Sequence, residues 1–263
     1  MAHLLLDVDG VLHVSGVAIP GAVEGIRRLR EDGHRLRFVT NNTVRPRARL
    51  AAELRALGFD LTAEEIETTP LAAGQLLAGK RVLALTMAAI REDLERHVTL
   101  VDEGAEVVLL GGADETDETA EVFTYESLNR AFAELRAGAR LVCLHRNRWW
   151  QTAEGPKLDA GVFVAGLEYA AGTQAEVVGK PRRAFFEAAL AELGARAQET
   201  TMVGDDVETD VGAAKLLGMR GVLVRTGKFR EDALAAADPQ PDGVIDSVAD
   251  LAGWLAARAE SRP

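Results

Sequence analysis

The chain repeatedly runs a short apolar stretch into an abrupt polar end, and separates these runs by stretches with apolar positions three and four apart. The sharpest case is Leu4-Leu5-Leu6 followed by Asp7-Val8-Asp9-Gly10-Val11. Consecutive leucines predict a parallel strand buried on both faces. Alternation along a strand lets Asp7 and Asp9 point to the same side, and Gly10 lets the chain turn sharply. The same form recurs in Leu36-Arg37-Phe38-Val39 before Thr40-Asn41-Asn42-Thr43, and in Glu176-Val177-Val178-Gly179 before Lys180-Pro181. It recurs again in Thr201-Met202-Val203-Gly204 before Asp205-Asp206, and in Val222-Leu223-Val224 before Arg225-Thr226-Gly227-Lys228. Between these runs, Val23, Ile26 and Leu29 mark one helix face, and Phe186, Leu190 and Leu193 another. Short helices are predicted near Thr62, over Val207, Val211 and Ala214, and over Val248, Leu251 and Leu255. This alternation predicts an α/β fold with a doubly wound, Rossmann-like parallel sheet.

The middle third follows its own α/β course. Arg81–Leu85, Val107–Leu110 and Leu141–Leu144 read as strands; Ala88–Arg96, the Leu128–Leu135 stretch and a segment from Gly161 through Tyr169 read as helices. The acidic run from Asp114 to Glu121 reads as a solvated loop. No linker rich in Pro, Gly or Ser marks the boundaries. On this pattern the chain divides into a core of 1–71 plus 177–263 and an inserted, smaller α/β domain of 72–176. That insertion ends in His145-Arg146-Asn147-Arg148-Trp149-Trp150. Cations and indoles beside a strand end can hold a substrate by charge and stacking. They equally suit a hairpin whose tryptophans cover a domain edge while the arginines snorkel. His145 has no second His or Cys at ligand spacing.

Composition narrows the classes. The chain has 263 residues, 48% apolar and 27% charged, which suits a globular fold with a sizeable core. A net charge of -11 argues against a nucleic-acid or anionic-membrane partner. It leaves phosphate binding open, because a local lysine, backbone amides and a metal can overrule the global field. A single cysteine, Cys143, excludes an intramolecular disulfide and fits a reducing compartment. With no leader pattern and no apolar run long enough to span a bilayer, the expected location is cytoplasmic.

Four of these polar strand ends combine: Asp7/Asp9, Thr40/Asn41, Lys180 and Asp205/Asp206. Each has an ordinary structural explanation, as an acidic turn, a helix cap or a surface charge. Together, on one rim of one sheet, they supply a nucleophile, an acid, anion donors, a cation and metal ligands. In this order the set resembles the haloacid dehalogenase superfamily. Its motifs match as Asp7-Val8-Asp9-Gly10-Val11, Thr40-Asn41-Asn42, Gly179-Lys180-Pro181 and Gly204-Asp205-Asp206 with Asp210. The insertion resembles the large α/β cap of class IIA. Lys157-Leu158-Asp159-Ala160-Gly161, Glu168-Tyr169-Ala170 and Val224 to Arg230 are similar to the phospholysine phosphohistidine inorganic pyrophosphate phosphatases, whereas His145 to Trp150 departs from the Gly/Lys-rich sequence of that group.

The resemblance implies a Mg²⁺-dependent phosphatase, a phosphoric monoester, P–N or pyrophosphate hydrolase. Asp7 would be the nucleophile and Asp9 the general acid and base. Thr40, Asn41, Asn42 and Lys180 would bind phosphate. Asp7, the Asp9 carbonyl and Asp205 would hold Mg²⁺, with Asp206 and Asp210 behind them. Arg146, Asn147 and Trp150 would contribute specificity from the cap. The substrate would be a small phosphorylated molecule: a phosphoamino acid, pyrophosphate, a nucleoside monophosphate or a sugar phosphate. The protein would act as a monomer or homodimer. A non-catalytic phosphate-binding regulator is the alternative from another class; the pairing of Asp7 with Asp9 speaks against it, since binding alone needs neither nucleophile nor acid.

Overall fold

The computed structural model describes residues 1–114, 116, 118–152 and 155–260. Two compact units are formed, one from residues 1–40, 47–67 and 180–263, the other from 41–46 and 68–179. The fold is α/β, as the pattern predicted, with a parallel sheet in each unit.

In the first unit six strands lie in the order Gly243–Ile245, Arg220–Val224, Thr200–Gly204, His3–Asp7, Arg35–Thr40, Ile66–Thr68. His3–Asp7 pairs in parallel with both Thr200–Gly204 and Arg35–Thr40, so these three strands end at one edge. Leu4, Leu5 and Leu6 are fully buried, because helices cover both faces of a parallel sheet. The helix Ala22–Glu31 buries Ala22, Gly25, Ile26 and Leu29; Ile26 and Leu29 are the positions read from the sequence, while Val23 is only partly buried. Phe38, Phe59, Leu54 and Ile66 join the same core.

The segment near Thr62 is a three-residue 3₁₀ turn, Ala63–Glu65, closed by a capping box with Thr62. It leads at once into the strand Ile66–Thr68, which the apolar pattern did not reveal. The reason is chemical: Glu67 and Thr68 are fully buried there, and Glu67 is ion-paired with the buried Arg37 of the neighbouring strand. A buried polar strand carries no hydrophobic signature.

The second unit holds the strands Glu176–Val177, Arg140–Cys143, Val107–Leu110, Arg81–Leu85 and Thr99–Leu100, in that order and all parallel. Its core includes Val108, Leu110, Cys143, Val164 and Leu167. A hairpin, Trp149–Thr152 with Gly155–Leu158, follows the strand that ends at Cys143. The helix predicted over 88–96 is a 3₁₀ turn, Ala88–Ile90, followed by Arg91–Glu95. In the acidic run, residues 115 and 117 lie outside the described residues; Glu118–Val122 is a short helix rather than loop.

One expectation is corrected. Glu176–Val177 pairs with Arg140–Cys143 of the second unit's sheet. Lys180 therefore follows a strand of the second unit's sheet, and the four polar ends are not all strand ends of one sheet. Val178 and Gly179 continue the pairing, donating to the carbonyls of Cys143 and Leu144, and the chain enters the first unit at Lys180. No helix among the described residues is long and apolar enough to cross a membrane.

Candidate active site

Asp7 is the last residue of the central strand, and its side chain is buried because the strand is. The strand stops there. Gly10 takes a φ of +82° and the chain folds back, with the Leu12 amide donating to the Val8 carbonyl at 2.9 Å. Asp9 thus sits in the turn, not on the strand, and its side chain is 63% exposed. Thr40, at the end of the adjacent strand, donates its hydroxyl to Asp9 Oδ2 at 3.4 Å, and His13 Nε2 lies 3.7 Å from Asp9 Oδ1. The two aspartates meet different environments: one dry and tightly held, one open to solvent.

Asp7 Oδ1 accepts the Val8 amide at 2.9 Å and the Lys180 ammonium at 2.7 Å. The same ammonium donates to Asp210 Oδ1 at 2.7 Å. Carboxylate oxygens of Asp7, Asp205 and Asp210 all lie within 4.8 Å of one another, and all three residues are buried. Burial pushes the Asp210 carboxyl up to about 7, and the Asp7 charge adds to the push. Burial also raises Asp7, with Lys180 opposing and Asp205 and Asp9 reinforcing. For Lys180, burial acts to lower the ammonium's pKa, but Asp210 and Asp7 outweigh it and the group is held above its ordinary range.

Asp205 and Asp210 arrive through an unusual local structure. After the strand Thr200–Gly204, Asp206 caps the next turn, its Oδ1 accepting the Glu208 and Thr209 amides at 2.9 and 3.0 Å. That turn, Val207–Gly212, is π-helical, a form frequent at functional sites. It swings Asp210 back beneath Gly204, where an added Cβ would lie 2.3 Å from the Asp210 Cβ. Asp210 Oδ2 accepts the Asp206 amide at 3.3 Å, so both its oxygens are engaged by the protein. Asp205 differs: Oδ2 accepts the Lys228 amide at 2.7 Å, but Oδ1 is buried with no hydrogen-bond partner. A buried unpaired carboxylate oxygen is costly, and an oxygen-ligated cation would satisfy it. The residues present therefore fit a divalent metal.

The other predicted residues, Asn41 and Asn42 among them, lie in the second unit. Asn41 Oδ1 accepts the Thr69 hydroxyl at 3.4 Å, while Asn42 Oδ1 accepts the Val44 and Arg45 amides at 3.1 and 2.8 Å, capping its own turn. Arg146 is ion-paired with the largely buried Glu168, and the Asn147 carbonyl accepts the Gly161 amide at 3.0 Å. The side chain of Trp150 lies outside the described residues. At the same loop, the partly buried His145 pairs with the buried Asp159, Nε2 to Oδ1 at 3.5 Å, a pair the sequence reading did not assign. Nor did it assign a role to Thr226, Gly227 and Lys228, although they end a strand in the same polar fashion as the assigned motifs.

A family model described as haloacid dehalogenase-like hydrolase matches residues 4–98, and a second, described as HAD-hydrolase-like, matches 177–251. The phospholysine phosphohistidine inorganic pyrophosphate phosphatase of Xenopus laevis is 38% identical over 261 residues, covering 97% of this chain and 94% of that protein. The solved p-nitrophenyl phosphatase from Archaeoglobus fulgidus superposes with a TM-score of 0.85 at 28% identity, covering 96% of this chain and 98% of that one. A glycerol phosphate phosphatase from Mycobacterium tuberculosis, in complex with magnesium, gives 0.82 at 29% identity, covering 95% and 76%. The chain belongs to the haloacid dehalogenase-like hydrolase family. It is an enzyme of that hydrolase class, similar over nearly its whole length to proteins named as phosphatases.

Proposed function

We propose that this protein is a Mg²⁺-dependent phosphatase acting on a small phosphorylated molecule through an aspartyl-phosphate. The observation that carries the reading is Asp7 at the end of the central strand, buried, tethered to Lys180 and clustered with Asp205, one of whose oxygens has no hydrogen-bond partner. Asp7 Oδ1 is held by Val8 and Lys180, which leaves Oδ2 as the oxygen we assign to attack. In the first step an Asp7 O–P bond forms as the bond from phosphorus to the leaving oxygen breaks. Asp9, solvent-reachable and steadied by Thr40, gives its proton to that oxygen. In the second step Asp9 takes a proton from water, whose oxygen bonds to phosphorus while the Asp7 O–P bond breaks, releasing phosphate.

Asp7, Asp205 and the Asp9 carbonyl would hold Mg²⁺, an all-oxygen set suited to a hard cation. When bound, the cation would supply charge that offsets repulsion between the Asp7 carboxylate and the phosphate. Asp210 takes the part behind them: it fixes Lys180, and both its oxygens are already used. Lys180, Thr40 and the Asn41–Asn42 turn are assigned to the phosphate oxygens. The second unit is assigned as the cap, with Arg146, Asn147 and Trp150 as its specificity residues. Phospholysine, phosphohistidine and pyrophosphate are the first substrates to try, given the relatives, with sugar phosphates and nucleoside monophosphates next.

The test is phosphate release from p-nitrophenyl phosphate, pyrophosphate, acetyl phosphate and phosphoramidate, with and without Mg²⁺, alongside Asp7→Asn. Mg²⁺-dependent turnover that Asp7→Asn abolishes is expected. Inactivity of the folded wild-type protein on all four, with Mg²⁺ and phosphate still raising its melting temperature, would favour a binding protein instead.

A further inference from the structure

In the six-stranded sheet, Thr200–Gly204 lies between His3–Asp7 on one side and Arg220–Val224 on the other. Each neighbour sends a glycine turn against the Asp205 carboxylate that follows the middle strand. A Cβ built on Gly10 would lie 1.9 Å from Asp205 Oδ2, and one built on Gly227 would lie 2.0 Å from the same oxygen. The Gly227 Cβ would also sit 2.6 Å from the Gly10 Cα, which cannot swing aside as a flexible side chain would. Both glycines are left-handed, with φ of +82° and +60°. The Lys228 amide donates to Oδ2 at 2.7 Å, and the Thr226 hydroxyl donates to the Gly10 carbonyl, locking one turn to the other. Oδ2 is thereby walled in on two sides and hydrogen-bonded, while Oδ1 of the same group is buried and unbonded.

We infer that the Thr226-Gly227-Lys228 turn is the positioning element of the metal site. It fixes the Asp205 rotamer through Oδ2 so that Oδ1 is the atom left for the cation. This rests on Asp205 being a metal ligand. Gly227 provides the space, the Lys228 amide the hydrogen bond, and the Thr226 hydroxyl the tie to Gly10. The turn acts on the cation through Asp205 and not by ligating it.

Mg²⁺ affinity is the readout, measured by calorimetric titration of the full chain, with the Mg²⁺-induced rise in melting temperature as a second signal. Gly227→Ala should weaken Mg²⁺ binding on the order of 10- to 100-fold, the loss usual when a group orienting a metal ligand is removed. Thr226→Val should weaken it in the same direction and Thr226→Ser, which keeps the hydroxyl, should restore it. Gly218→Ala is the control for backbone strain alone, since Gly218 is also left-handed (φ +86°) and its added Cβ would meet only Gln198, at 3.5 Å; Mg²⁺ affinity should not move there. If the wild-type chain itself shows no Mg²⁺ binding, the metal reading fails. If wild type binds and folded Gly227→Ala binds as tightly, the positioning role is overturned. Should Gly227→Ala not fold, an undiminished affinity in Thr226→Val, or no rescue by Thr226→Ser, overturns it equally. Activity titrated against Mg²⁺ adds a split: the half-activating concentration should rise in Thr226→Val, while turnover at saturating Mg²⁺ stays near wild type.

Discussion

Lys180 is a cation placed against a cluster of buried carboxylates, and replacing it with methionine tests the electrostatic logic of the site. Its side chain is 4% exposed and its Nζ lies 2.7 Å from both Asp7 Oδ1 and Asp210 Oδ1. At an effective dielectric of about 20, each contact is worth roughly 6 kcal/mol of gross attraction. The two carboxylates repel each other by roughly 3–4 kcal/mol at the separations within this cluster, and burial of all three groups takes back most of the remainder. Methionine removes the attraction and leaves the repulsion and the burial. Protonation of a carboxyl and penetration of water limit the damage, so the expected net loss is about 3–5 kcal/mol, the usual cost of orphaning a buried charge. The assay is urea unfolding of wild type and Lys180→Met, each without Mg²⁺ and at a saturating concentration. The second arm takes its sign from the same charges. With the competing ammonium gone an incoming cation meets less repulsion and can displace any proton the carboxylates have taken up, so Mg²⁺ should stabilise the variant by more than it stabilises wild type, and should recover part of the loss. At 100 times its dissociation constant a ligand contributes about 2.7 kcal/mol, which is readily measured. A loss below about 1 kcal/mol without Mg²⁺, or a smaller Mg²⁺ effect in the variant than in wild type, would refute the ion-pair account of the cluster.

Contrasts in burial set the behaviour of two other acids. Glu67 is fully buried beside Arg37, and burial raises its carboxyl to about 7 from the ordinary 4.5, with Arg37 opposing and Glu192 adding to the rise. The unfolded chain gives up that proton near the ordinary value and the folded chain only near 7, so between them folding binds a proton. This contribution to stability is therefore present at low pH and declines as pH rises through the window, at about 1.4 kcal/mol per unit. The stability difference between wild type and Glu67→Gln, followed by denaturant unfolding at pH 5 and pH 8, should shift toward the glutamine variant by on the order of 3 kcal/mol as pH rises. A difference independent of pH would place the Glu67 proton elsewhere. Asp9 is the opposite case: with its side chain 63% exposed and one long bond to Thr40, Asp9→Asn should leave the unfolding free energy within about 0.5 kcal/mol of wild type while lowering turnover on the order of 10²- to 10⁴-fold. Equal turnover in Asp9→Asn and wild type would remove Asp9 from acid–base work.

The parts of the fold that were legible in the sequence are those where burial and hydrophobicity coincide. Leu4 to Leu6, Val203 and Val222 to Val224 announce their strands because a parallel sheet covered on both faces asks for apolar residues at every position. Ile66-Glu67-Thr68 asks for the same burial but meets it with an ion pair to Arg37 and a capping threonine, and so leaves no periodic trace. The cluster of Asp7, Lys180, Asp205 and Asp210 was legible as a set of charges at strand ends, yet the route by which Lys180 reaches it was not. Glu176-Val177 is short enough to suit either sheet, and a two-residue strand carries no mark of its partner.

The Asp205 clamp shows a different limit. Gly10 and Gly227 each look like an ordinary turn glycine when read alone. Their common purpose lies in one oxygen that both approach, from turns far apart in the chain. A missing side chain becomes informative only when the atom occupying its place is known. The same holds for Gly204, whose absent Cβ makes room for Asp210 and so for the second anchor of Lys180. The acids and the lysine are the groups to which the proposed chemistry is assigned, and three glycines, silent in composition and charge, set the spacing at which those acids meet. On the proposed reading, substituting an acid removes a function, whereas substituting one of these glycines keeps every functional group and moves it. That is why Mg²⁺ affinity, rather than loss of turnover, is the quantity that separates the two kinds of residue.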